Sequence, residues 1–172
     1  GMFVATEYID RSLGSVADAA SSRRIVRLSQ HVASGVAALH SEGIVHNDLN
    51  PANVGYSSRK HVPVLMDFNI AVFTQKENAT HDRCPHFVAK FPNPQWRSPE
   101  EQVLGTRLTE KVDVYALGNV LFRLAFARAP WANGHLSASA KQDIVRAKLE
   151  RKLPPMEEIP RDGAIRGLVD VV

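Results

Sequence analysis

A chain of 172 residues, 44% hydrophobic and 23% charged, can bury one ordinary core and lies in the globular range, which excludes a disordered or low-complexity protein. The formal charge of +3 is too small to argue for nucleic acid, and Arg23 and Arg24, adjacent but isolated, read as a solvated helix face. Cys84, the sole cysteine, excludes an internal disulfide and fits a reducing, intracellular setting, expected to be cytoplasmic; Arg123 and Arg128 interrupt the longest apolar regions, so no membrane span, membrane partner or secretory signal is expected.

Residues 3–9 read as a strand running into a connector at Asp10. Ile25, Leu28, Val32, Val36 and Leu39 recur at steps of three and four and predict an amphipathic helix, with Gly43 placed as its terminator. A polar segment, His46 to Asn53, follows. Val54–Tyr56 and Val62–Met66 predict a two-stranded hairpin, with Pro63 confined to a position where its missing N–H does no harm. Residues 69 to about 98 lack periodicity and hold three prolines, and a loop that long is expected to be functional or mobile. Thr109 can cap a helix over residues 110–127, whose apolar residues surround it almost completely, as in a buried helix. Another helix is expected over 137–152, ended by Pro154-Pro155, and a further one begins near 164.

The polar segment carries the chemistry. Asp48 and Asn53 stand five residues apart, and Asn53 precedes the hairpin that Asp67 follows, so antiparallel pairing returns Asn53 and Asp67 to the same end. One amide and one carboxylate suit Mg²⁺, which takes few protein ligands beside substrate phosphates. Asp48 is left to orient or deprotonate an attacking hydroxyl.

His46-Asn47-Asp48-Leu49-Asn50-Pro51-Ala52-Asn53 resembles the protein-kinase catalytic loop H-R-D-L-x-x-x-N, and Asp67-Phe68-Asn69 resembles D-F-G. Ser98-Pro99-Glu100 is similar to A-P-E, and Asp113 to Gly118 to the helix that supports the catalytic loop. The resemblance covers essentially the whole chain and implies a mainly α fold with a small β-hairpin, the C-terminal lobe of a protein-kinase-like domain spanning 1–172. Its parts would be a hinge at 1–10, catalytic loop 46–53, activation segment 67–100 and central helix 110–127. It further implies ATP and Mg²⁺ as cofactors, Asp48 as catalytic base, Asn53 and Asp67 as metal ligands, and Glu7, Tyr8 and Ile9 at the adenine, with Asp10 at the ribose. His46 and Phe68 would stack above Asp113, and a protein substrate would dock near Asn93 to Arg97.

Several departures bear on activity. No Gly-rich loop, strand lysine or partner glutamate stands in this chain, so the lobe that grips the phosphates is expected to be missing and the fragment alone inactive. By the resemblance Glu100 would pair with an arginine near the domain's end, which this chain is expected not to reach. Asn47 replaces the arginine of H-R-D, Asn50 a lysine directed at the transferred phosphate, and Asn69 the glycine of D-F-G; Gly55 would thin the nucleotide floor. The leading expectation is a Ser/Thr-type protein kinase. A pseudokinase scaffold, or a small-molecule phosphotransferase of the aminoglycoside or choline kinase type, stays open beside it.

Overall fold

The computed structural model describes residues 9–17, 20–74, 94–106, 108–131 and 136–154. The expected strand at 3–9, apart from Ile9, lies outside them, as do the helix from 164 and most of the loop between 69 and 98.

Strand β1 (Arg11–Ser12) leads directly into a short helix, α1 (Leu13–Ala17), whose Leu13, Val16 and Ala17 are buried. The long helix α2 (Ser22–Ser41) turns Ile25, Leu28, Val32 and Val36 inward, one stripe at helical spacing. It ends where expected. Gly43 takes φ 71°, and its N–H donates to His40 O at 3.0 Å, closing the last turn through a backbone conformation that favours glycine.

Strand β2 (Ile44–Val45) enters the segment from His46 to Asn53, and a single 3₁₀ turn, Pro51–Asn53, closes that segment. Strands β3 (Val54–Ser57) and β4 (Val62–Leu65) form the predicted hairpin, pairing Val54 with Leu65 and Tyr56 with Pro63. The hairpin is part of a larger unit: β1 pairs antiparallel with β3, giving a three-stranded sheet in the order β1-β3-β4. Pro63 therefore sits on an edge strand, where a missing donor is tolerated. A second antiparallel pair joins β2 to β5 (Val72–Phe73), and beside it Thr74 N–H and Oγ1 both donate to Gly43 O, at 2.7 and 2.9 Å.

Helix α3 (Lys111–Phe126) corrects an expectation. It is buried along one stripe, Val112, Asp113, Ala116, Asn119, Val120 and Leu124, while Val114 is 47% exposed. Its apolar residues are more numerous than the face that α2 and α1 cover. Thr109 Oγ1 does accept from the helix start, at the N–H of Lys111, though the capping position itself is Glu110. Helix α4 (Ala138–Leu149) is capped by Ser137, whose hydroxyl accepts from Ala140 N–H.

The main core gathers Leu13 and Val16 of α1, the inward stripe of α2, Leu49, Val54 and Tyr56, and Val120 and Leu124 of α3. Each such side chain contributes about 1.5–3 kcal/mol by leaving water. Among the described residues no helix is long and apolar enough to cross a membrane.

Candidate active site

The loop from His46 to Asn53 is held from below by one buried carboxylate. Asp113 of α3, 1% exposed, accepts the N–H of His46 at 2.7 Å through Oδ2 and that of Asn47 at 2.9 Å through Oδ1. His40, at the end of α2, places Nε2 3.0 Å from the same Oδ2. Two consecutive backbone donors on one carboxylate fix the direction of the loop.

His46, fully buried, is oriented by its own loop. Asp48 N–H donates to its Nδ1 at 3.3 Å, so Nε2 carries the proton and donates to Met66 O at 2.9 Å. The His46 and Phe68 rings lie 4.8 Å apart at 41°, in contact but tilted rather than stacked flat. Asn47 adopts φ 62°, a left-handed conformation that Asn accepts more readily than most residues. Its Nδ2 donates to Ile70 O, and its Oδ1 is buried with no hydrogen-bond partner among the described residues.

Asp48 and Asn53 meet. Asn53 Nδ2 donates to Asp48 O at 2.8 Å and to Asp48 Oδ2 at 2.9 Å. Its amide nitrogen is thereby spent on Asp48, which orients its oxygen as the remaining donor atom. Met66 N–H donates to Asn53 O at 2.9 Å, so the end of β4 is tied to Asn53, and Asp67 follows at once in a left-handed conformation, φ 62°, with its side chain exposed. Asn50 turns inward on the loop: Nδ2 donates to Asp48 O and Oδ1 accepts from Ala52 N–H.

Three more residues complete the surroundings: Arg97, expected only at the edge of a substrate-docking segment, and Glu101 and Lys148, which no sequence pattern marked. Arg97 donates to Asp48 Oδ1 at 2.6 Å, to Glu101 Oε1 at 3.2 Å, and through a short contact to Asn47 O. Glu101 also accepts Ser98 N–H at 2.6 Å. Burial pushes the Glu101 carboxyl above the usual carboxylate range, while Ser98 and Arg97 pull it back. This corrects the expected buried acid. Glu101, not Glu100, points inward, and its cation is Arg97, four residues earlier. Lys148 of α4, 1% exposed, donates to the carbonyls of Pro94, Gln95 and Arg97 and lies over the faces of Tyr115 and Trp131, 4.9 and 5.6 Å from their centroids. Burial draws its ammonium down to about 7, against the opposing charge of Glu101.

The expected nucleotide residues are only partly visible. Glu7 and Tyr8 lie outside the described residues, as does Asn93 of the expected substrate-docking segment. Asp10 is exposed, and its carboxylate accepts Ser58 N–H at 3.1 Å, an interaction with Ser58 that holds it below the usual carboxylate range. A side-chain carbon at Gly55 would fall 2.2 Å from Ile9 Cγ2 and 2.8 Å from Met66 Sδ. Ile9 and Met66 thus fill the space that a larger residue at 55 would take.

The order of these parts, an anchored loop, an acid–amide pair, a hairpin and a second acid at its end, agrees with the comparison of sequences. Residues 2–167 match the protein kinase domain. The chain belongs to the protein kinase family. It is 31% identical over 166 residues to the serine/threonine-protein kinase PksC of Streptomyces coelicolor, covering 89% of this chain and 29% of the relative. With the serine/threonine-protein kinase pkn3 of Myxococcus xanthus it shares 30% over 149 residues, 79% of this chain and 26% of that one. With PkaA of Streptomyces coelicolor, another serine/threonine-protein kinase, it shares 34% over 125 residues, 67% and 22% respectively. This kinase domain therefore spans less than a third of each of these relatives' lengths.

Proposed function

We propose that this kinase domain takes part in transferring the γ-phosphoryl group of ATP to a serine or threonine hydroxyl of a protein, as the C-terminal lobe of a longer catalytic domain. The observation that carries the reading is the Asp48–Asn53 pair, joined at 2.9 Å on a loop that Asp113 anchors, with Asp67 next to it at the hairpin end.

In this reading Asp48 accepts the proton of the substrate hydroxyl and orients its oxygen. Asn53, with its nitrogen committed to Asp48, offers an amide oxygen, and Asp67 an exposed carboxylate. That oxygen donor set fits Mg²⁺ bound with nucleotide phosphates, whose charge the metal would neutralise. Glu7, Tyr8 and Ile9 would border the adenine, and Asp10 the ribose. An upstream lobe would supply the phosphate-gripping groups that this chain does not contain.

One observation favours a second reading, a binding or scaffold module with little turnover. The Arg97 guanidinium lies 2.6 Å from Asp48 Oδ1, and neither Asn47 nor Asn50 offers a cation to a phosphate. Calorimetric titration with MgATP separates the two. The chain extended upstream by one lobe is expected to bind, and Asp67→Asn to abolish binding. Absence of binding in both the short and the extended chain would replace the enzyme with the scaffold.

A further inference from the structure

A cavity of about 310 Å³ opens at the far end of α2 from Asp113. Sixteen residues of helix separate Arg24 from His40, roughly 24 Å along the axis, so the cavity is not part of the candidate active site. Its floor is apolar, made by buried Leu28 and the ring of Tyr56. Its walls are basic. Arg23, Arg24 and Arg27 line it from α2 with His31, and His61 closes it from the β3–β4 turn. Among the described residues no acidic side chain lines it, and none of the three arginines forms an ion pair with a carboxylate.

This arrangement works against the fold. The first turn of α2 holds no acid, and three cations sit at the end of a twenty-residue helix where the backbone dipole is already positive. Arg23 and Arg27 stand at i,i+4, a spacing at which like charges repel. Arg24 is also held in place: its Nη2 donates to Tyr56 Oη at 3.1 Å, with the guanidinium 5.6 Å from the ring centroid. Repelling charges gathered around a cavity, with one already oriented on its wall, call for an anion.

We infer that this cavity binds a phosphomonoester dianion, presented by a phosphorylated serine or threonine side chain of a peptide segment. A phosphomonoester brings close to two negative charges and three acceptor oxygens, matching several guanidinium forks better than a lone carboxylate does. The apolar floor accommodates the carbon atoms that carry it. A single basin, rather than a stripe of basic residues, does not follow a nucleic-acid backbone. Docking here keeps a bound segment clear of Asp48.

The test uses the intact protein. At matched ionic strength, inorganic phosphate should raise the melting temperature above its value in chloride, and Arg23→Gln/Arg27→Gln should abolish that rise. In chloride alone the double variant should melt at or above the parent, because it has lost only repulsion. A short phosphoserine peptide with neutral flanks should bind at least tenfold more tightly than its unphosphorylated twin, and the double variant should lose that difference. Tyr56→Phe, which frees Arg24, should weaken phosphopeptide binding by a smaller factor. Equal melting in phosphate and chloride, or a rise that survives in the double variant, overturns the site. A phosphate effect without preference for the phosphopeptide overturns the peptide as its source.

Discussion

Asp113 shows how one side chain sets the geometry of a loop it does not belong to. Replacing it with leucine leaves the N–H groups of His46 and Asn47 buried without acceptors, each at about 1–3 kcal/mol. Urea denaturation is expected to show Asp113→Leu destabilised by more than ~2 kcal/mol, and Asp113→Asn, which keeps one acceptor, by clearly less. Equal losses in the two would mean that the backbone donors had found other partners. This acid was legible in the sequence because it interrupts an apolar helix, where a carboxylate needs a buried reason. Glu101 was not. Two adjacent glutamates look alike in a sequence, and only the 3₁₀ turn Glu100–Gln102 decides that the second faces Arg97. Arg97 itself carries no pattern that distinguishes it from a surface cation; its role comes from a contact with Asp48 across 49 residues of chain.

Long elements could be read directly, since α2 repeats its apolar stripe over about four turns from Ile25 to Leu39 and the β3–β4 hairpin shows as two apolar runs around a polar turn. The two-residue strands β2 and β5 could not, because two residues have no period. The extent of burial around α3 was misjudged for another reason: composition records how apolar a helix is, not how many neighbours it has. Helix α4 carries a consequence at this scale, because Lys148 fastens it to the backbone of residues 94–97. Its ammonium sits near 7 in the folded protein and near 10.5 in the unfolded chain. Between those values the unfolded chain holds a proton that the folded one has released. Stability should therefore fall as pH drops from about 10.5 to about 7 and level off below. Lys148→Met is expected to flatten that dependence, read as the difference between the two proteins' denaturation midpoints across the range. A parallel pH dependence in both would show that Lys148 is not its source.

Across the whole molecule, the kinase family was legible because its motifs are ordered along the chain, and their order survives where individual residues have changed. What the motifs could not convey is how the candidate catalytic segment is closed on itself. Gly43 and Thr74 meet at the neck of a loop that contains Asp48, Asn53 and Asp67, with β2 and β5 paired just inside it. A side-chain carbon at Gly43 would fall 2.8 Å from Thr74 O, at a φ that favours glycine. Gly43→Ala should therefore loosen the neck. In amide hydrogen exchange, such a neck makes everything beyond it a single opening unit. Thr74 N–H, the β2–β5 amides and the N–H groups of His46 and Asn47 should share one protection factor in the parent and lose it together in the variant. Acceleration confined to the immediate neighbours of residue 43 would show instead that Asp113 alone holds the candidate catalytic segment, and that the neck is only a place where two strands pass.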